Sequence, residues 1–259
     1  MRSLLPLVMI LSLTPAAQAG ESSPAPLEVD WAVDLPLTLA PAVVWLSANY
    51  LISGLPVLEE PPSWEPPGGI DGLATTTLNE DLALISDVGL YSLIALSATG
   101  TALVADSSHV DDHLLIFAEA ISWTGVATEL TKRAVDRPRP YTYGTGVTGD
   151  PDDALSFFSG HSSITSVSTF TLVRTLDLTH DLSTGQRWAA YGGAGLATAV
   201  VAGLRVAAGK HFPTDVLVGA TVGTCAGLVV PTLHQSSHLN VSAGPGPDGG
   251  AQLTVAGSF

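Results

Sequence analysis

From about Leu82 to Ala105 the chain offers an apolar stretch long enough to cross a lipid bilayer. Two further segments, Trp188 to Val206 and Pro213 to Val230, are nearly uncharged. Runs of this kind point to helices, set either in a membrane or in an unusually apolar bundle. The composition agrees, since 46% of the 259 residues are hydrophobic and only 13% are charged, which is little for a water-soluble domain. Three more segments complete the pattern. The first runs from Leu35 to Leu55 and contains Pro36 and Pro41. Another, from Asp111 to Val135, has apolar or small residues at Leu114, Phe117, Ala118, Ile121 and Gly125, which is helical spacing. The last, rich in Ser and Thr, starts at Ser159 or Ser162 and runs to about Leu176. The fold class predicted is all-α, a bundle of six helices.

Punctuation sets the boundaries. Thr77 and Asn79 can cap the second helix, and Pro138 and Pro140 stop the third near Asp136. The Pro-, Glu- and Gly-rich stretch from Pro56 to Gly72 reads as a loop without regular structure, and Tyr141 to Asp153 as a second loop. Gly219, Gly223 and Gly227, spaced by four, give the sixth helix a flat face for close packing. In the tail, Pro247-Asp248-Gly249-Gly250 between alternating residues signals a hairpin. Cys225, the single cysteine, excludes an intrachain disulfide and reads as a small core residue.

The N-terminus has a basic start, an apolar core from Leu4 to Leu13 and a small-residue cleavage pattern ending at Ala19. It reads as a signal peptide over residues 1–19, with an uncleaved anchor as the alternative. A mature N-terminal segment (20–34), a helical domain (35–232) and a C-terminal tail (233–259) follow. The formal net charge of -15 repels nucleic acid at long range, so any anion site must be local.

The scarce positive charge is concentrated. Lys132, Arg133, Arg137 and Arg139 share one short stretch, and Arg205 and Lys210 another, so six of nine basic residues fall in two places. This suits a prepared anion site, although cations at helix ends near a membrane surface would look similar. Ser159-Gly160-His161 supplies a hydroxyl, a closely approachable backbone and an imidazole at a helix start, where free N–H groups favour phosphate. His211 and Asp215, four apart, would share a face if both lay on one helix, allowing the carboxylate to orient the ring and leave one nitrogen as a nucleophile.

Lys132, six residues, Arg139-Pro140; Ser159-Gly160-His161; and Arg205, five residues, His211, three residues, Asp215 together resemble the motifs of the type-2 phosphatidic acid phosphatase and vanadium haloperoxidase superfamily. The resemblance covers about Leu82 to Pro231. It implies a six-helix bundle of that family's kind and a phosphatase that needs no metal or other cofactor. It further implies that Lys132, Arg139, Arg205, Ser159 and the Gly160 N–H bind the phosphoryl oxygens. His211 would then attack phosphorus, Asp215 would hold His211, and His161 would protonate the leaving group and activate water. Phe158 and Leu204 depart from the family's usual Pro and Ser at these positions.

The expected substrate is a phosphorylated lipid or a small phosphate ester, with vanadate as an inhibitor. Under the haloperoxidase alternative vanadate is the cofactor, and a non-catalytic membrane scaffold is a third possibility. His109, Asp111, Asp112 and His113 could resemble a metal cluster, but acids are ordinary at a helix start. His180, His234 and His238 carry no motif. The chain is expected to be exported and inner-membrane-associated with a periplasmic active site, or else soluble in the periplasm. If all six helices cross from an outside N-terminus, the motif loops fall in the cytoplasm.

Overall fold

Helix starts follow from side chains that satisfy the first free backbone N–H groups. Asn79 Oδ1 accepts from the Leu82 N–H at 3.0 Å and opens α2 (Glu80–Val104). Ser159 caps α4 (Gly160–Thr179) through the Ser162 N–H. Ser183 and Gln186 form a capping box that starts α5 (Thr184–Ala207) four residues ahead of the expected Trp188. Helix α3 (Val110–Val135) ends at Asp136, which adopts φ 49° and returns its N–H to the Lys132 carbonyl. Helices α1 (Trp31–Leu51) and α6 (Pro213–Leu233) complete the six, and strands β1 (Asn240–Pro245) and β2 (Ala251–Ala256) pair as an antiparallel hairpin. This computed structural model describes residues 27–51, 67–235, 240–245 and 251–256. The expected signal peptide, most of the loop after α1 and the turn of the hairpin lie outside the described residues.

Two further boundaries differ from expectation. Helix α1 begins four residues before Leu35 and continues through both Pro36 and Pro41. The end of the Pro-rich stretch does form regular structure, a short 3-10 turn at Gly69–Leu73 that buries Asp71.

Helix α4 lies at the centre and packs against α2, α3, α5 and α6. Its buried face is made largely of Ser and Thr, including Ser162, Ser163, Ser166, Thr171 and Thr175. Small side chains let neighbouring helices approach, and some hydroxyls bond within α4, Ser168 donating to the Ile164 carbonyl at 2.7 Å and Thr169 to that of Thr165 at 2.9 Å, while Ser166 donates across to the Ala220 carbonyl of α6 at 3.0 Å. The glycine face of α6 meets α4 so closely that a Cβ at Gly219 would sit 2.5 Å from the Ser159 carbonyl oxygen. Cys225 lies between those glycines in sequence and so faces the other way. It is exposed, not a core residue as expected.

Large apolar side chains point outward instead, with Leu103 80% and Trp188 76% exposed. Polar-centred and apolar-skinned packing is what a hydrocarbon solvent selects. Among the described residues, five helices, all but α4, are long and apolar enough to cross a membrane. The protein is therefore a membrane-associated helical bundle.

One end of the bundle gathers the ends of α3 and α5 and the starts of α4 and α6. The C-terminal end of α1 is there as well, since Arg133 donates to the Ala48 carbonyl at 2.5 Å. If α1 crosses the membrane, its residue-30 end and this functional end lie on opposite sides.

Candidate active site

Lys132, Arg139 and Arg205, the three cations expected to bind the phosphoryl oxygens, come from helix ends and are buried. Lys132, in the last turn of α3, is 3.4 Å from Glu129 Oε1, and its Nζ would lie 3.7 Å from a Cβ on Gly160. Glycine at the first position of α4 thus keeps open the space in front of that ammonium. Arg139 opens the 3-10 turn Pro140–Tyr143 and is anchored by its own donors: Nε to the Asp152 carbonyl at 2.8 Å, a terminal nitrogen to the Lys210 carbonyl at 2.8 Å, and an ion pair with the Asp152 carboxylate. Arg205, in the last turn of α5, donates to Ser86 Oγ at 3.1 Å and Asp87 Oδ1 at 3.2 Å, while its Nε has no hydrogen-bond partner.

His211 stands in the loop before α6, not on the helix with Asp215, because Phe212 is the N-cap and Pro213 the first helical residue. The two still face each other, with Nδ1 3.6 Å from Asp215 Oδ2, beyond hydrogen-bond range. The other ring nitrogen, Nε2, is 3.2 Å from Arg139. A guanidinium can only donate, so Nε2 accepts and the ring proton belongs on Nδ1, toward Asp215. Asp215 is fully buried and already accepts three bonds, from Arg137 at 2.6 Å, Ser156 Oγ at 2.5 Å and the Phe212 N–H at 2.8 Å.

Ser159 is buried at the N-cap, and its hydroxyl oxygen also accepts from Ser162 Oγ at 3.2 Å, leaving its own proton to donate. His161 Nε2 lies 2.6 Å from Asp87 Oδ1, so Asp87 bridges His161 and Arg205.

The electrostatics follow from crowding cations in a dry place. Burial, and then the charges of Arg139, Arg205 and Lys132, hold His211 well below the usual imidazole range. Burial and then Arg205 push His161 down to about 2, so this ring is neutral. Burial alone would raise Asp152, but Arg139 and Lys132 outweigh it and bring it down to about 2. Lys210 is lowered by burial and by Arg139, and its ammonium sits 5.2 Å from the centre of the Tyr141 ring.

The eight residues singled out by the resemblance are thus brought to one end of the bundle, and the structure adds their partners. Arg137 does not point into the pocket. It joins Asp215 to Asp71 at 2.8 Å and stacks 4.1 Å from the centre of the Phe212 ring. Asp71, Asp87, Glu129, Asp152 and Ser156 were not anticipated. Only Asp87 carried a signal, being the sole charged residue between Leu82 and Ala105, where an acid is costly without a partner.

Residues 113–238 match the family model described as the PAP2 superfamily. They form a PAP2-superfamily domain. No curated protein matches the chain. Among solved structures, the chain resembles the crystal structure of the first transmembrane PAP2-type phosphatidylglycerolphosphate phosphatase from Bacillus subtilis. The match has 21% identity and a TM-score of 0.46 and covers 77% of this chain and 94% of that one. The PAP2 match takes in all eight candidate site residues but begins after Asp87 on α2, so the carboxylate that binds both Arg205 and His161 comes from outside it.

Asp87→Asn is expected to lower kcat about 10²-fold, the size of a general acid–base contribution, without raising KM. His161 would lose its orienting carboxylate while Arg205 would be freed for phosphate. Steady-state kinetics on a soluble phosphate ester would check it; a rise in KM at constant kcat would contradict it.

Proposed function

We propose that this PAP2-superfamily protein is a metal-independent phosphatase acting on phosphate monoesters or diphosphates of lipids, through a phosphohistidine on His211 Nε2. One observation supports this most directly: His211 offers an unprotonated Nε2 to the Arg139 side of the site, within the field of Lys132 and Arg205, while its protonated nitrogen faces a buried carboxylate.

Nε2 attacks phosphorus as the bond to the leaving oxygen breaks, and the charge on the equatorial oxygens is met by Lys132, Arg139, Arg205, the Ser159 hydroxyl and the Gly160 N–H. His161 gives a proton to the departing alkoxide. A bound phosphate dianion offsets the cations that keep His161 neutral and so raises its proton affinity. His161 then takes a proton from water, the water attacks phosphorus, and the P–N bond breaks to release inorganic phosphate and neutral His211. Asp215 stabilises the charged ring in between, its distance to Nδ1 shortening as charge develops. The apolar outer faces of the helices suit a substrate whose tail remains in the bilayer.

The test is phosphate release by detergent-purified protein from phosphatidate, an isoprenyl diphosphate and a soluble aryl phosphate, with chelator present throughout. Chelator-resistant release preferring the lipids is expected; dependence on added metal, or no release from any of the three, would overturn the proposal. Because His211 is held well below its ordinary range, protonation of the nucleophile should not limit the reaction in mild acid. kcat/KM is expected not to fall from pH 6.5 down to pH 5. A tenfold fall per pH unit across that interval would show His211 titrating normally.

A further inference from the structure

At the end of the bundle opposite His211, three side chains from separate parts of the chain point at one another. Asp34 lies in the first turn of α1, Glu119 is on α3, and His234 caps the C-terminus of α6. One donor atom from each lies within 4.8 Å of the others. His234 Nε2 is 3.3 Å from Glu119 Oε2 and 3.6 Å from Asp34 Oδ2. The 21 residues of α6 separate this cluster from the catalytic end by about 30 Å, so it plays no part in phosphate binding.

Two features distinguish it from an ordinary group of acids at a helix end. Glu119 is only 8% exposed, and its Oε2, shut off from solvent and aimed at the cluster, lies 3.3 Å from His234 Nε2 without a well-formed hydrogen bond. A buried carboxylate oxygen in that condition is costly and calls for a partner. His234 Nδ1 lies 3.0 Å from the Val230 carbonyl, which can only accept, so Nδ1 carries a proton and Nε2 is the ring atom turned to the two carboxylates. Two carboxylates and an imidazole nitrogen facing one point call for a positive charge among them, an ion or a second proton on the ring. A histidine tied to a carbonyl through its far nitrogen is the arrangement that orients an imidazole toward a metal.

We propose that Asp34, Glu119 and His234 bind a divalent transition ion of the zinc class. With bonds of about 2.1 Å, the ligands of a tetrahedral zinc stand about 3.4 Å apart, between the two distances from His234 Nε2. A mixed nitrogen and carboxylate set also suits zinc better than calcium, which prefers oxygen ligands at longer range. The cluster borders an open cleft of about 540 Å³ that also exposes Glu28 and Asp30, leaving water access to a fourth position. The backbone beneath is fixed, as the Glu28 N–H donates to the His234 carbonyl at 2.8 Å. An ion here ties α1 to α3 and α6. The alternative occupant is a second proton on His234.

The full-length protein in detergent, stripped with chelator and transferred to chelator-free buffer, would be titrated with Zn²⁺ by calorimetry and followed by thermal unfolding. Saturable uptake near one equivalent and a rise in Tm of several degrees are expected. Glu119→Gln and His234→Ala, each eluting from gel filtration as the wild type does, should weaken uptake at least tenfold. No saturable uptake by the wild type would overturn the proposal in favour of the proton, and uptake unchanged in both variants would place the ion elsewhere.

Discussion

His211→Ala is expected to reduce phosphate release by about 10⁴-fold or more, because the reaction then loses its nucleophile rather than an auxiliary contact. The wild-type protein should yield an acid-labile, base-stable phosphoprotein when quenched during turnover, and the variant none. Arg139, Lys132 and Arg205 remain in the variant, so a phosphate ester still has cations to bind, and KM should change far less than kcat. The cavity left by a ring that is 1% exposed also has a stability cost, so unfolding is to be measured alongside. Near-normal release from a folded variant would remove the phosphohistidine from the mechanism.

Arg137→Ala is expected to destabilise the protein by ~3–5 kcal/mol, the range for a buried ion pair that loses one partner. The guanidinium is the only cation bonded to Asp215 among the described residues and also holds Asp71, which in turn accepts from the Thr214 N–H at 2.9 Å and its hydroxyl at 2.7 Å. Without it, two buried carboxylates face the start of α6 with no counter-charge. Activity should fall with stability, since Asp215 stands behind His211. Arg137→Lys should recover little, because an ammonium cannot spread its donors over Thr214, Asp215 and Asp71 as the planar fork does. Adding Asp71→Asn to Arg137→Ala should restore part of the loss by removing one unpaired charge. Thermal unfolding in detergent, read as a double-mutant cycle, measures both effects.

The features legible in the sequence were those written in local chemistry. Asn79 before an apolar run, Ser159 before Gly160, and the prolines after Asp136 each set a helix boundary through interactions within a few residues. The prolines of α1 misled in the opposite sense: Pro36 is exposed and Pro41 buried, and both lie inside a helix that packs against α3. The inverted polarity of the bundle was half visible, in that the Ser- and Thr-rich segment was recognised as the polar one but not as the centre around which the others pack. Spacing named the cations, the two histidines and Asp215. It could not name Asp152 or Asp71, whose partners lie 13 and 66 residues away, because nothing near either acid sets it apart from a solvated carboxylate. His234 shows the same limit, a histidine without a motif whose neighbours come from α1 and α3.

In the proposed reaction, the carboxylates that hold Lys132, Arg139 and Arg205 give the site the character of an ion exchanger. Lys132 is engaged by Glu129, Arg139 by Asp152 and Arg205 by Asp87, so an arriving phosphate competes with resident anions for charge already in use. Chloride, carrying one charge and no geometry, has little to offer against a carboxylate fixed in place. A phosphoryl dianion can reach several of these cations at once. Asp87 is 42% exposed, whereas Glu129 is 6% exposed, which marks Asp87 as the counter-ion freest to swing aside. Such an exchange would filter for charge and shape before any bond is broken, and inorganic phosphate released at the end would meet the returning carboxylate as its displacer.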